Sequence, residues 1–288
     1  MAFSAAILYG IIAMFGLGLN AALAKFPVMK IGGVKTIFFR NALTSLLLFL
    51  MFLPFIGMTN FSPAYILIAF AIALVGYIPL ATFYKAMKVG KMGVVSPVAN
   101  SSIVFTVLFA TVFFGEVLSF AQMSSILLIV AGIVLISLNF RELKNSSLFK
   151  ISSGIPYALI SCLLWGVVFF LLKIPVTVLG PFLTALMLEF GSFILAGVNL
   201  AISRAHFKLP GKQVMIHIFL VALFGSIGSL FYSMGIASAG VSIVAALAFS
   251  NPWIAALYGK IVYRDSLRPL QYIGILLALT GMLMISLF

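Results

Sequence analysis

The chain has 288 residues, of which 64% are hydrophobic and only 7% are charged. A mean hydropathy of +1.31 excludes an ordinary soluble domain, in which about a quarter of the residues are charged. The net charge of +13 does not indicate a nucleic-acid partner, because the basic residues lie at the ends of apolar runs, as in membrane-protein loops. The sequence therefore predicts a multi-pass protein of the cell membrane, in contact with the lipid bilayer.

Ten apolar runs follow one another, and each approaches the length of about 20 residues that crosses a bilayer. The first run has no basic segment before it, so we interpret it as a membrane span rather than a cleaved signal. The predicted fold is all-α, with ten transmembrane helices. The runs are approximately 4–24, 34–56, 62–84, 93–115, 120–139, 154–172, 182–203, 214–237, 241–263 and 269–287.

The second half of the chain repeats the first. A pattern between Phe83 and Leu138 returns 149 residues later, between Val241 and Leu287, and the earlier runs align at an offset of 148. Matched pairs include Ala99/Ala248, Ser101/Ser250, Glu116/Asp265, Gln122/Gln271, Gly132/Gly281, Lys25/Lys173 and Gly32/Gly180. Because each copy has five spans, the second must enter the membrane from the opposite side, as in the inverted repeats of transporters. We predict a first copy at 1–140, a linker at 141–153 and a second copy at 154–288.

The distribution of basic residues predicts the orientation. Of the 17 lysines and arginines, all except Lys173 lie in or beside the loops that follow runs 1, 3, 5, 7 and 9. Positive residues favour the cytoplasmic side. These loops are therefore predicted to be cytoplasmic, with both termini outside.

No enzyme signature is present. Cys162 is the single cysteine, which excludes intrachain disulfides and multi-thiolate metal sites. His206 and His217 have no carboxylate-rich cluster near them in sequence, and no Walker lysine motif occurs. We predict no catalytic residue, no cofactor and no metal.

The repeated pattern resembles the EamA domain of the drug/metabolite transporter superfamily. The features are the aromatic pair Phe83–Tyr84, a polar break in the fourth run, the turn at Glu116, and then Gln122 and Ala131–Gly132. The second copy matches at Tyr232, Pro252, Asp265, Gln271 and Gly281. The resemblance implies a central cavity, alternating access and export of small metabolites, often amino acids. It also implies cytoplasmic termini, which is the reverse of the orientation that the charges predict.

Glu189 is the strongest candidate for a functional charge. It lies about eight residues, or ~12 Å, into the seventh run, where an acid costs on the order of 3 kcal/mol to insert. It would either couple a proton or bind a cationic group of the substrate. The alternatives are a structural pair with Arg40 or a carboxyl that stays protonated.

Arg40 lies about two turns into the second run. We favour the interpretation that it extends to lipid phosphates at the membrane surface. The alternative is a cation on the cavity wall that binds a substrate carboxylate. The repeat places Arg40 and Glu189 at mirrored depths, but the sequence leaves open whether they meet.

The fourth and ninth runs contain unusual polar interiors. Proline frees a backbone carbonyl, which hydrocarbon tolerates only where protein or cavity water satisfies it. Interruptions at corresponding places of two repeats indicate a binding site, although interhelical packing would also explain them. The candidates in these runs are Ser96, Asn100, Ser101, Ser250, Asn251 and Trp253.

Further candidates for the cavity are polar or aromatic residues of other runs: Asn20, Tyr77, Tyr84, Trp165 and Tyr232. Glu116 and Asp265 follow the fourth and ninth runs, where we expect each to cap the next helix. Glycines such as Gly16, Gly76, Gly225 and Gly228 are expected at close helix contacts.

These observations predict a carrier that moves a small organic metabolite by alternating access, with runs 1, 3, 4, 6, 8 and 9 around the cavity and runs 2 and 7 beside it. Its partners would be a small-molecule substrate and, as a candidate coupling ion, the proton. We expect a monomer, with a dimer as the alternative. The alternative functions are uptake of a cationic metabolite driven by the membrane potential, and a channel or scaffold without carrier activity.

Overall fold

The computed structural model describes residues 2–137, 153–204, 208–262, 264 and 267–287. Asp265 and all of the predicted linker except Ser153 lie outside these residues. The described part of the chain is predominantly helical and contains no β-strand. Its helices are α1 (Ala2–Ile31), α2 (Gly33–Phe52), a 3₁₀ helix (Leu53–Met58), α3 (Pro63–Val89), α4 (Met92–Asn100), α5 (Ser102–Phe114), α6 (Phe120–Ser137), α7 (Ile155–Leu171), α8 (Lys173–Ile202), α9 (Lys212–Ser238), α10 (Val241–Ala248), α11 (Pro252–Val262) and α12 (Pro269–Leu287).

Eight helical segments of the described residues are long and apolar enough to cross a membrane, and two shorter apolar helices, Phe120–Ile136 and Ile155–Leu171, accompany them. The predicted all-helical membrane fold is thereby confirmed for the described residues. That all ten segments cross the bilayer stays a prediction.

The two copies share an unusual local structure where the first long helix of each ends. Gly32 separates α1 from α2 with φ 85°, and Gly180 interrupts α8 with φ 77°. This region of φ is open to glycine and strained for other residues. One turn later, Thr36 and Thr184 each donate a hydroxyl hydrogen bond of 2.8 Å to the carbonyl of that glycine. The repeat therefore exists in backbone conformation as well as in sequence.

Helices α6 and α12 show the relation between the copies. A Cβ on Gly132 would lie 2.6 Å from the backbone nitrogen of Ala278, and a Cβ on Gly281 would lie 3.0 Å from that of Ile129. These two contacts interchange when the copies are exchanged, because Gly132 corresponds to Gly281 and Ile129 to Ala278. From Ile129 to Gly132 the residue number rises along α6, whereas that of the contacted residue falls from Gly281 to Ala278 along α12. Corresponding helices therefore run antiparallel about a twofold relation.

Close contacts at glycine also join α1 to α9. A Cβ on Gly16 would lie 2.6 Å from the backbone nitrogen of Gly228, and a Cβ on Gly228 would meet the side chain of Leu17 at 2.8 Å. Neither helix could approach the other this closely with a larger residue at these positions. The expectation that these glycines serve packing is confirmed.

The fourth and ninth runs are each broken into two helices. Ser101 separates α4 from α5, and residues Phe249 to Asn251 separate α10 from α11. Every residue of α10 is buried, so this half-helix lies in the interior. The two breaks are the places where the backbone departs from helix near the centre of the protein.

Candidate functional site

A cavity of about 100 Å³ lies between the two copies. Its wall includes residues from eight of the ten apolar runs, and the fifth and tenth contribute none. Runs 2 and 7 were expected to flank the cavity, with Glu189 as a cavity residue, and they contribute Arg40, Leu188, Glu189 and Ser192 to its wall. The lining residues are Leu17, Asn20, Ala21, Arg40, Gly76, Leu80, Phe83, Tyr84, Asn100, Trp165, Val168, Phe169, Leu172, Leu188, Glu189, Ser192, Ser229, Tyr232, Phe249 and Asn251.

Arg40 and Glu189 form a buried ion pair on this wall. Arg40 Nη1 lies 3.0 Å from Glu189 Oε2, and Nη2 donates to Oε1 at 3.3 Å. The side chains are 5% and 9% exposed. The interpretation that Arg40 extends to lipid phosphates is wrong, because its charge is already compensated inside the protein.

Asn41 completes the pair. Its Oδ1 accepts a 2.7 Å hydrogen bond from Arg40 Nη1, and its Nδ2 donates to the backbone oxygen of Glu189 at 3.3 Å. Asn41 and Glu189 are counterparts in the two copies, so each residue contacts its own equivalent. Helices α2 and α8 therefore cross on the approximate twofold axis that relates the two copies, and the charges of Arg40 and Glu189 lie beside this axis.

The geometry explains how two charges are tolerated here. Removing an isolated charge from water costs several kcal/mol, and only close pairing with further hydrogen bonds offsets that cost. Two nitrogens of Arg40 face two oxygens of Glu189, the bidentate arrangement that favours arginine. Asn41 adds an acceptor. The result is a polar but formally neutral patch in the cavity wall.

Gly225 makes room for the arginine. A Cβ at this position would lie 2.7 Å from Arg40 Nη2 and 2.5 Å from Asn20 Nδ2. Gly76, its counterpart in the first copy, faces Leu188 Cδ1 at 3.3 Å. Leu188 is in turn the counterpart of Arg40. The same contact thus occurs twice, once with a leucine and once with an arginine, and only the second brings a charge into the cavity.

Aromatic rings form another part of the wall. Phe169 lies 4.4 Å from Phe249 and 5.3 Å from Tyr232, measured between ring centroids. Trp165 lies 5.0 Å from Phe83, so the cluster includes residues of both copies. Tyr232 donates its hydroxyl hydrogen bond to the Phe169 carbonyl at 3.2 Å. These rings present a rigid apolar surface with few conformations to lose on binding.

The two helix breaks meet at the cavity. Asn251 Nδ2 donates to Asn100 Oδ1 at 3.1 Å and to the Ala248 carbonyl at 2.8 Å. Asn100 Nδ2 donates to the Ser96 carbonyl at 2.8 Å. Asn100 and Asn251 are not counterparts in the repeat: Asn100 corresponds to Phe249, and Asn251 to Ser102. The wall at the breaks is therefore asymmetric, because the first copy has an amide at the position where the second copy has an aromatic ring.

Some lining side chains keep unused hydrogen-bonding capacity. Among the described residues, Arg40 Nε, the Tyr84 hydroxyl and Asn251 Oδ1 are buried without a hydrogen-bond partner. A buried polar group without a partner costs free energy. These side chains of the cavity wall therefore hold hydrogen-bonding capacity that this conformation leaves unused, in atoms that are covered by the surrounding protein.

The sequence matches the profile of the EamA-like transporter family over residues 4–138 and again over residues 152–287. This chain belongs to the EamA-like transporter family. A solved structure described as "Crystal structure of protein" superposes with a TM-score of 0.73 at 16% identity, covering 98% of this chain and 97% of that one. At this identity the likeness concerns the fold alone. No curated protein matches the sequence.

The family result confirms the resemblance found in the sequence and the repeated architecture that it implies. It also makes this EamA-like protein a membrane transporter, in a family of transporters rather than enzymes. Among the described residues, no group of three or more His, Cys, Asp or Glu could hold a metal.

The structure brings seven of the predicted site residues of this transporter to the cavity wall. They are Asn20, Tyr84, Asn100, Trp165, Glu189, Tyr232 and Asn251. Asn20 is joined to α9, because its Nδ2 donates to the Val221 carbonyl at 2.8 Å. Their part in binding a substrate stays a prediction.

Five predicted residues do not line this cavity: Tyr77, Ser96, Ser101, Ser250 and Trp253. The hydroxyls of Ser101 and Ser250 donate to carbonyls of their own helices, at 3.1 Å and 2.6 Å. Serine in a helix commonly satisfies itself in this way. Trp253 packs edge-on against Phe15 at 5.9 Å. Polar residues beside a helix break therefore need not face the ligand.

Several lining residues were missed from the sequence, and helical spacing would have found them. Ser192 lies three residues after Glu189, Phe169 four after Trp165 and Ser229 three before Tyr232. Residues three or four apart share one face of a helix. Extending each candidate by one turn along its face would have included all three.

Proposed function

We propose that this transporter moves a small, net-neutral amphipathic metabolite, an amino acid or a related compound, out of the cell by alternating access between its two copies. The observation that supports the proposal is that the buried Arg40–Glu189 pair and a cluster of aromatic rings line one cavity between the copies. An inverted repeat with a central site is the architecture of carriers that expose one site to each face in turn.

Charge balance supports a net-neutral substrate. Arg40 and Glu189 already compensate each other, so an added cation or anion would leave an unpaired buried charge, which is costly. A zwitterion adds no net charge. This argues against the alternative of a cationic metabolite taken up by the membrane potential.

The unused hydrogen-bonding groups support an orientation for the substrate. In a substrate-bound conformation that exposes them to the cavity, Arg40 Nε and the Tyr84 hydroxyl would donate to a carboxylate. The Asn251 Oδ1 and the Glu189 carboxylate would accept from an ammonium group. An apolar side chain would then lie against Phe169 and the other rings. An amino acid with an apolar side chain meets all these requirements.

The volume favours a small substrate. A cavity on the order of 150 Å³ accommodates a benzene ring, and the volume here is about 100 Å³. In this conformation the space is smaller than a benzene site, so it suits only the smallest amino acids and lies well below the volumes of about 300 Å³ or more that are usual for drug-sized molecules.

Counterflow in proteoliposomes tests the proposal. Vesicles that contain purified protein and an unlabelled neutral amino acid should accumulate the labelled compound, and the flux should saturate. Asn100→Ala and Asn251→Ala should reduce flux, because these amides form the wall. Ser101→Ala and Ser250→Ala are the matched controls, since they alter the same helix breaks away from the cavity.

Two results would contradict a carrier. Flux that rises linearly with concentration and shows no counterflow would indicate a channel. Absence of flux across a panel of neutral, cationic and anionic amino acids and related metabolites, by protein that is monodisperse and reconstituted, would indicate a scaffold.

Proton coupling is proposed through Glu189. Of the four acids in the sequence, this one lies inside an apolar run, and its carboxylate faces the cavity. If its protonation drives part of the cycle, transport by Glu189→Gln should lose its dependence on pH. Unchanged pH dependence in a variant that still transports would remove the proton from the mechanism.

A further inference from the structure

Glu116 makes a set of contacts that local sequence does not predict. It lies in the turn after α5, in the first copy, yet its hydrogen-bond donors all belong to the second copy. Oε1 accepts from the backbone nitrogen of Val241 at 2.7 Å and from Lys173 Nζ at 2.8 Å. Oε2 accepts from the backbone nitrogen of Ser242 at 2.9 Å and from its hydroxyl at 2.7 Å.

These contacts make Glu116 the N-terminal cap of α10. The first amides of a helix have no partner within the helix, and α10 has no capping side chain from its own N-cap residue, Gly240. A carboxylate at this end satisfies the amides and complements the helix dipole. Gly240 leaves the necessary space, because a Cβ there would lie 2.9 Å from Glu116 Oε2.

Glu116 is not needed by the helix that follows it. The start of α6 is capped by Ser119 and Gln122, which exchange backbone and side-chain hydrogen bonds of 3.0 Å and 3.2 Å, as in a capping box. The expectation that Glu116 caps the next helix is therefore wrong. Its carboxylate instead caps α10, a helix of the second copy.

Lys173 is fixed by the same turn. Besides the contact with Glu116, its ammonium lies 5.1 Å from the ring centroid of Phe114, at the end of α5. Lys173 is also the one basic residue that the charge distribution places on the predicted outer face. Its charge is compensated by the first copy, so it does not oppose the orientation that the other basic residues favour.

The contact is mechanically connected to the cavity. Helix α10 begins at the Glu116 carboxylate, is buried along its whole length and ends next to Phe249, which lines the cavity. Asn251 follows two residues later. A movement of α10 away from the first copy at this face would therefore move both lining residues.

We propose that Glu116, Lys173, Val241 and Ser242 form a latch that closes this face of the transporter. The structure represents the latched conformation, and access to the cavity from this face requires the carboxylate to leave the start of α10. The inference rests on the proposed function, since only a protein that alternates its access needs such a release.

Cysteine accessibility tests the latch without a known substrate. A reporter, Val168→Cys, is placed on the cavity wall in a Cys162→Ala background, and a membrane-impermeant maleimide is added to the latch face in sealed vesicles of known orientation. Loss of the charge-assisted bonds in Glu116→Ala is expected to raise the labelling rate by about tenfold. Labelling from the opposite face should not rise. An unchanged rate from the latch face in monodisperse protein would overturn the proposal.

A charge-swapped variant separates a helix cap from a simple ion pair. Glu116→Lys combined with Lys173→Glu keeps opposite charges but places at position 116 a group that cannot accept hydrogen bonds. The latch predicts that this double variant labels as fast as Glu116→Ala. A return to the parental rate would overturn the capping role.

Cross-linking tests the latch if the substitutions prevent folding. Glu116→Cys and Ser242→Cys, in the Cys162→Ala background, are bridged by a short, reducible thiol cross-linker in assembled protein. The bridge should stop counterflow, and reductant should restore it. Counterflow at the uncross-linked rate with the bridge in place would refute the latch while leaving the transport function intact.

Discussion

Gly225 leaves the space that the guanidinium of Arg40 occupies, since a Cβ at position 225 would lie 2.7 Å from Arg40 Nη2. The ion pair of the cavity thus depends on a residue that carries no side chain. The position is inside α9, where an alanine would otherwise favour the helix.

The first prediction concerns this space. Gly225→Ala should lower the free energy of unfolding by about 1–3 kcal/mol, the usual cost of overpacking, and should displace Arg40. Thermal unfolding of the purified protein in detergent measures the change. The matched control is Gly76→Ala, where the added methyl meets Leu188 Cδ1 at 3.3 Å and Val168 Cγ1 at 3.5 Å, so stability should be unchanged or higher. Equal melting temperatures for the two variants would contradict the assignment.

The second prediction concerns the ion pair. Removing one partner leaves a buried charge, so Arg40→Met and Glu189→Gln should each cost about 3–5 kcal/mol. Glu189→Gln should cost more, because a carboxylate left alone can take up a proton whereas a guanidinium stays charged. The double variant should recover much of the loss. Additive costs, measured by thermal unfolding, would show that the two groups do not interact.

The third prediction concerns pH. Burial raises the pKa of Glu116, but the hydrogen bonds from Lys173, Ser242 and Val241 more than compensate and hold that pKa below its ordinary value. The stability from these contacts is therefore complete above the ordinary carboxyl pKa and is lost as the pH falls through the lowered value. The charges facing the carboxylate are the Lys173 ammonium and the positive end of α10.

The difference in melting temperature between the parent and Glu116→Gln measures this dependence. It should be constant between about pH 6 and 8 and should shrink in acid, because Glu116 then becomes neutral in both folded and unfolded protein. A difference that grows as the pH falls would contradict the lowered pKa.

The fourth prediction concerns orientation. The charge distribution places the C-terminus outside, so a reporter active only in the cytoplasm should give no signal when fused after Phe288. The control is a fusion after Arg204, in the loop following the seventh run, which should be active. A strong signal after Phe288 would instead agree with the cytoplasmic termini that the resemblance to the EamA domain implies.

The repeat could be predicted from the sequence because corresponding positions of the two copies carry identical residues. Pairs such as Gly32 and Gly180 recur at constant offsets, and the structure shows the same positive φ at both. Glu189 was identifiable because a carboxylate inside an apolar run is costly. Each of these signals depends on one segment alone or on the comparison of two segments.

Whether Glu189 pairs with Arg40 could not be predicted from the sequence, for a physical reason. A hydropathy pattern gives the depth of a residue along the membrane normal but not its lateral position. Whether Arg40 at a mirrored depth reaches Glu189 depends on how α2 and α8 cross. That crossing follows from packing across the whole interface, including the space at Gly225.

The role of Glu116 was misjudged for a related reason. Capping rules consider the helix that follows in sequence, and there Ser119 and Gln122 already satisfy the amides. The helix that needed a carboxylate begins 125 residues later, at Val241. Only the assembled fold brings the two together.

The contact between Asn41 and Glu189 has a consequence for how such a protein can be assembled. Two identical chains about a twofold axis would place the same residue on both sides: two asparagines, or two glutamates that repel each other. A single guanidinium opposite a single carboxylate requires halves that differ. With both halves on one polypeptide, each half can change separately while the stoichiometry stays fixed at one to one. The two non-identical halves are therefore joined covalently, so they cannot dissociate on dilution as two separate subunits could.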